Sequence, residues 1–257
     1  MADDYTTVTE VPGIKVTREQ PRGMYTRYRF AADLCEGKEV LEVACGPGIG
    51  LGYLAKRTRK VIGGDYTQRL LRIAQSHYRE AVDLLCLDAH RLPFKGNIFD
   101  AVILYEAIYY LAKPEDFVQE CCRILRRDGL IIICSVNKDW SDFNPSPFSM
   151  EYFSVSELSA LLEQHGFDVE CFGSCPAHLS SLRDRIKSVM KRTAVALRLV
   201  PQTMKAKEIF KRIFFGELLT MKEEIEDGVV NYVSPVSISS NSPNFQYKVL
   251  YVVGRCR

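Results

Sequence analysis

This sequence predicts an α/β fold in which seven strands form one mostly parallel sheet with helices on both faces. Three observations predict it. Short apolar runs alternate with segments of helical periodicity from about residue 38 onward, the pattern of a parallel sheet covered on both sides. The first run, Val40-Leu41-Glu42-Val43, passes straight into a glycine-rich turn, Ala44-Cys45-Gly46-Pro47-Gly48-Ile49-Gly50. The next two runs end on or beside a carboxylate, at Asp65 and Asp88.

In chain order, residues 22–34 read as a helix before the first strand, and residues 51–56 as a helix leaving the turn. Residues 60–65, 83–89 and 98–104 are the second, third and fourth strands. Residues 115–125 have helical periodicity and run through Arg126-Arg127-Asp128-Gly129, read as a helix stop rich in positive charge, into a fifth strand at 130–135. Ser154-Val155-Ser156-Glu157 spells a capping box, in which Ser154 accepts from the third helical amide and Glu157 reaches back. That helix ends near Gly166. Residues 167–173 are the sixth strand and residues 247–254 the seventh. The chain is thus read as one domain, with a core at 22–175, an insertion at 176–245 and a final strand within 246–257.

The glycine turn admits two ligand chemistries. Glycine permits backbone angles and close approaches that a side chain forbids, so a ligand can lie against bare main chain. The dinucleotide fingerprint G-x-G-x-x-G, counted from Gly46 and Gly48, requires a glycine where Leu51 stands, and so it fails. The turn instead resembles motif I of the class I S-adenosyl-L-methionine (SAM)-dependent methyltransferases, E/D-x-G-x-G-x-G. Glu42, Gly46 and Gly48 are in register, and Ala44 stands at the first glycine.

The resemblance covers roughly residues 38–175 and the final strand. It implies a Rossmann-like sheet whose last two strands form an antiparallel hairpin, and it implies SAM as cofactor. Glu42, Ala44, Gly46, Pro47 and Gly48 fall to the cofactor loop. Asp65, about twenty residues past the loop, falls where such folds receive the ribose hydroxyls, with Tyr66 beside it. Asp88 falls to the adenine amino group, with Ala89 against the ring. Tyr105, and Tyr25 on the first helix, complete the expected cofactor contacts.

On the acceptor side, Tyr105-Glu106-Ala107-Ile108-Tyr109-Tyr110 after the fourth strand matches the family loop that faces the methyl group, where a histidine often stands near Tyr109 or Tyr110. Tyr110, Glu106 and His90 are the catalytic candidates, because methyl transfer to a hydroxyl or amine needs alignment and removal of a proton. Tyr109, and His178, Phe210 and Phe214 from the insertion, are the candidates for touching a small-molecule acceptor. An N-P-P-Y or D-P-P-Y turn, common in methyltransferases of nucleic-acid amines, is absent here, since Asn144-Pro145-Ser146-Pro147 follows the fifth strand instead. That argues against a nucleic-acid substrate.

The insertion is the most individual segment. Ile186, Val189, Met190, Thr193, Leu197 and Val200 recur at helical spacing, Pro201 breaks the pattern, and Ala206, Ile209, Phe210, Ile213 and Phe214 restart it. The polar faces of these two expected helices are strongly basic, a pattern that fits a plain solvated face or contact with an anionic substrate, a membrane surface or nucleic acid. The acidic stretch 217–227 is a candidate to neutralise them. The insertion is expected to roof the acceptor site.

Composition bounds the rest. The 257 residues, 47% apolar and 26% charged with a formal net charge of +2, suit a globular enzyme of one α/β domain. The acidic start Met1-Ala2-Asp3-Asp4 lacks the basic and apolar regions of a signal peptide, and no apolar run is long enough to cross a bilayer. A cytoplasmic location is expected. Nine cysteines, without any C-x-x-C pair, read as small apolar residues of a reducing compartment. Cys45, Cys86 and Cys134 are expected in or beside buried strands. Cys171 and Cys175 with His178 lack a fourth metal ligand.

Overall fold

A computed structural model describes residues 5–146, 148–177, 218–228 and 230–257. Its main sheet has eight strands in the order β4-β3-β2-β5-β6-β10-β7-β9. In this sheet β2 is Glu39–Val43, β3 Lys60–Asp65, β4 Asp83–Cys86, β5 Phe99–Tyr105, β6 Leu125–Val136, β7 Phe167–Pro176, β9 Val236–Ser237 and β10 Tyr247–Cys256. Strands β2 to β6 pair in parallel, and β10 lies antiparallel between β6 and β7. The seven expected strands are all present. The eighth, β9, is a two-residue edge from the insertion paired with β7, and a separate ribbon joins β1 (Lys15–Val16) to β8 (Leu219–Thr220).

Side chains alternate between two cores because successive strand residues face opposite ways. Ala101, Ile103 and Tyr105 of β5 pack with helices α1 (Glu19–Leu34), α2 (Leu51–Ala55) and α3 (Gln68–Tyr78). Val102 and Leu104 face the other way, toward α4 (Pro114–Ile124) and α5 (Val155–Gln164). A central parallel strand is buried on both faces, which is why residues 101–104 are apolar without interruption and fully buried. The capping box at α5 forms as expected: Ser154 accepts from the Glu157 amide, and the Glu157 carboxylate accepts from the Ser154 amide at 2.7 Å.

Several expectations are corrected. Helix α4 ends at Ile124, and residues 126–129 form an irregular bulge with Asp128 at φ 62°, since Phe99 pairs with Leu125 and the ladder resumes at Ala101 with Leu130. Arg126 in this bulge pairs with Asp100 at 2.7 Å and with Glu39 at 2.6 Å. The first helix begins three residues earlier than expected, at Glu19. The third strand stops at Cys86, whose thiol is exposed and not buried. Cys45 and Cys134 are buried as expected, and all nine thiols are free.

The expected insertion helices, their basic faces and His178, Phe210 and Phe214 lie outside the described residues. The returning arm, 218–228, is described, and its acids do not await a basic helix. Glu224 pairs with Lys56 and His77 at 3.3 and 2.9 Å, and Asp227 with Arg57 at 2.5 Å, while Glu226 pairs with Lys222 at 2.6 Å. The arm is thereby fastened to α2 and α3. Among the described residues no helix is long and apolar enough to cross a membrane, and no group of three metal-ligating side chains occurs.

Candidate active site

The turn after β2 owes its shape to left-handed backbone at every second position: φ is 58° at Ala44, 57° at Gly46 and 80° at Gly48. Gly48 is tied from below, since its carbonyl accepts from the Tyr78 hydroxyl at 2.7 Å, and a side chain there would meet the Tyr78 ring. Gly50 has a different reason. A methyl group at Gly50 would come within 2.0 Å of the Tyr28 ring, so this glycine makes room for an aromatic residue from α1.

Tyr28 in turn donates to Glu42 at 2.5 Å. Glu42 is 1% exposed, its Oε2 has no partner, and burial pushes its carboxyl up to about 8. Asp65, at the end of β3, accepts from the amides of Gly46 at 2.8 Å and Thr67 at 2.7 Å. Burial raises its pKa, and those two amides oppose the rise. A carboxylate offers about four acceptor positions, so two remain for a ligand. Asp88 stands two residues past β4. It accepts from the His90 amide at 2.9 Å and from the imidazole Nδ1 at 2.7 Å. Burial raises Asp88, but these contacts outweigh it and hold the carboxyl below its ordinary value.

These strand ends open on one cavity of about 1480 Å³. Ala44, Gly46, Pro47, Asp65, Tyr66, Asp88, Ala89 and His90 line it, as do Tyr105, Glu106, Tyr109 and Tyr110. Three expected contacts do not reach it. Glu42 lies behind Tyr28, and Gly48 lies behind its neighbours Pro47 and Ile49, both of which do line the cavity. Tyr25 points away, donating to Asp227 at 2.8 Å and packing against Tyr53 and Tyr232.

The acceptor-side candidates now separate. Glu106, at the end of β5 with φ 51°, pairs with Arg27 at 2.6 Å and accepts from the Tyr109 hydroxyl at 3.0 Å. Tyr110 bonds Ser146 at 2.7 Å, and burial raises its pKa. Both nitrogens of His90 are engaged, Nδ1 by Asp88 and Nε2 by the Lys113 amide at 3.3 Å. With Nδ1 donating and Nε2 accepting, His90 has no free lone pair to act as a base.

Arg27 is the residue that sequence reasoning missed. Its Nε is buried without a partner, and it sits on the cavity beside Glu106 although 79 positions separate the two. A signal existed: Gln20, Gly23, Met24 and Arg27 all line the cavity, a helical stripe that ends in a cation. The segment from Tyr5 to Glu10 was also missed. It closes the cavity from outside, with Tyr5 5.2 Å from the Tyr110 ring.

Residues 41–133 match a family model described as a methyltransferase domain. This stretch is thus similar to a methyltransferase domain. The methyltransferase match takes in the glycine turn, Asp65, Asp88 and the loop from Glu106 to Tyr110, while Arg27 and the returning arm fall outside it. A probable SAM-dependent methyltransferase of Mycolicibacterium smegmatis is 31% identical over 166 residues, covering 62% of this chain and 63% of its own. A ubiquinone biosynthesis O-methyltransferase of Agrobacterium fabrum is 30% identical over 106 residues, 40% of this chain and 42% of its own. The chain thus spans about three fifths or less of the length of these curated relatives. Among solved structures, the YcgJ protein of Bacillus subtilis superposes with a TM-score of 0.58 at 18% identity, covering 93% of this chain and 99% of its own. The [4+2]-cyclase SpnF superposes with a TM-score of 0.57 at 17% identity, covering 91% of this chain and 81% of its own. The methyltransferase fold therefore carries more than one chemistry.

Proposed function

We propose that this chain is a SAM-dependent methyltransferase acting on a hydroxyl oxygen of a small molecule. The observation that carries the reading is one cavity with a glycine turn and two strand-end carboxylates on one side and a carboxylate–guanidinium–phenol group on the other. The donor set fits SAM. Asp65 keeps acceptor positions for a ribose diol, Asp88 for an adenine amino group, and the backbone from Ala44 to Gly46 is bare enough for close approach. Bound there, SAM supplies an activated methyl group.

The chain's own residues do the rest. Arg27 and Tyr109 hold the Glu106 carboxylate in place, and Glu106 accepts the proton of the acceptor hydroxyl as the methyl arrives. Tyr110 and Tyr105 act as walls that align the acceptor. The curated O-methyltransferase relative supports oxygen as the acceptor atom, and nine free thiols suit the reducing cytoplasm.

The test has two stages. Calorimetric titration should show SAM and S-adenosylhomocysteine binding at one site. A screen of hydroxylated and amino small molecules with radiolabelled SAM should then label the hydroxylated class. Labelling confined to amines would overturn the oxygen assignment. Binding without transfer to any acceptor would favour a SAM-binding module over an enzyme.

A further inference from the structure

The segment after β6 is held firmly, yet it spends two large apolar side chains on water. The Met150 amide donates to the Tyr109 carbonyl at 2.7 Å, the Ser146 amide to the Tyr152 hydroxyl at 3.0 Å, and Tyr152 stacks on Tyr109 with centroids 4.3 Å apart. Tyr110 and Ser146 add a further bond at 2.7 Å. The loop is thus pinned to the acceptor wall at three points and braced within itself by the bond from Ser146 to Tyr152. Between these pins Phe148 is 59% exposed and Met150 66%.

Phe148 also stands at φ 68°, a left-handed conformation that is a genuine outlier for a bulky residue. Strain of this kind persists only where the surrounding structure imposes it, and it gathers at ligand sites. Both side chains line the cavity, and being more than half exposed they stand at its mouth. Val233, from the returning part of the insertion, lines the same cavity and is 49% exposed. Exposed apolar side chains from two separate segments thus line the cavity, while Glu106, Arg27 and Tyr109 are more deeply buried. A volume of about 1480 Å³ also exceeds the roughly 300–1,000 Å³ of an ordinary small-molecule pocket, leaving room beyond a cofactor.

We propose that the acceptor is amphiphilic, its hydroxyl set against Glu106 and its apolar arm leaving the cavity across Phe148, Met150 and Val233. This rests on the methyl-transfer reading above and names the substrate class for the same site. Continuity decides the occupant, because the exposed side chains border the very cavity that would hold the reacting group. A long apolar arm would desolvate them as it binds.

The probe is a series of 4-alkylphenols from phenol to octylphenol, titrated calorimetrically into the full chain with saturating S-adenosylhomocysteine and below the concentration at which they aggregate. Affinity should rise about fourfold for each of the first several methylenes, the increment for a fully buried methylene. The double variant Phe148→Ser, Met150→Ser, whose exposed sites leave the core untouched, should bind phenol as before but lose most of that rise. Val233→Ser should lose a smaller part. Affinity independent of chain length would overturn the proposal, as would a rise that survives in the double variant. Sedimentation with phosphatidylcholine vesicles that the double variant abolishes, with no chain-length dependence, would assign the mouth to a membrane surface and likewise overturn it. S-adenosylhomocysteine titrated alone separates the two readings: if it fails to bind while the chain-length rise persists, the cofactor reading falls and the apolar mouth stands.

Discussion

The two parts of the cavity are built by different means. The proposed cofactor side is made of backbone and of contacts close in sequence: left-handed turn positions at Ala44, Gly46 and Gly48, an Asp65 carboxylate gripping amides at Gly46 and Thr67, and Asp88 gripping the amide two residues on. The acceptor side is made of side chains brought from far apart, Arg27 from α1, Glu106 from the end of β5, and Ser146, Phe148 and Met150 from the loop after β6. The first kind of site is fixed by local rules of strand, turn and helix start. The second depends on the packed fold, so one domain can keep its cofactor side while its acceptor side is rebuilt.

The largest expected effect tests the acceptor side. Glu106→Gln keeps the shape but removes the charge that Arg27 and Tyr109 surround. With the acceptor identified, kcat/KM should fall about 100- to 10,000-fold, the usual contribution of a positioned base. SAM affinity should hold, because Glu106 stands on the other side of the cavity. A rate within a few-fold of the parent would make Glu106 structural and leave the reaction without a base from this chain.

The next test concerns the seam between the two sides, where Tyr28 of α1 meets Glu42 of β2. Burial raises Glu42 from its ordinary 4.5 to about 8. Between those values the folded chain holds a proton that the unfolded chain has released. The stabilising influence of low pH is therefore lost as pH rises through about 4.5 to 8. The difference is at most about 5 kcal/mol. Urea unfolding of the ligand-free chain at pH 5 and pH 8 should show the parent losing more stability than Glu42→Gln between the two. Equal losses would mean that Glu42 is ionised in the folded chain.

On the cofactor side, Asp65→Ala should weaken SAM binding by about 1.5–3 kcal/mol, the range for hydrogen bonds to a charged group. It should also lower unfolding stability by about 1–3 kcal/mol, because two buried amides lose their acceptor. Calorimetry and denaturation read the two effects separately. A stability loss with unchanged affinity would confine Asp65 to bracing the turn.

This contrast explains what the sequence revealed. The seven main strands, the capping box at Ser154 and the placing of Gly46 and Asp65 at one turn follow from periodicity and turn chemistry, which act over a few residues. The stripe ending in Arg27 was not decisive because its partner Glu106 is 79 positions away, and a charged residue on a helix reads as solvated until the sheet places an acid beside it. The same blindness misplaced Tyr25, which turns to Asp227 on the returning arm.

The smallest effect concerns a local rule that the glycine turn breaks. Ala44 occupies the first glycine position of the turn, and its φ of 58° shows that the position requires left-handed backbone, so the alanine is more than a neutral replacement. A side chain in that conformation costs about 1–2 kcal/mol, whereas glycine adopts it freely but loses more entropy on folding, roughly 0.5–1 kcal/mol relative to alanine. Ala44→Gly should therefore stabilise the chain by about 1 kcal/mol at most, seen as a raised urea midpoint with an unchanged slope. SAM affinity should stay level or improve slightly, because the turn keeps its shape and the backbone becomes easier to approach. A destabilised variant would mean that the Ala44 methyl, which packs against the core on the α4 side, contributes more through contact than the backbone loses through strain.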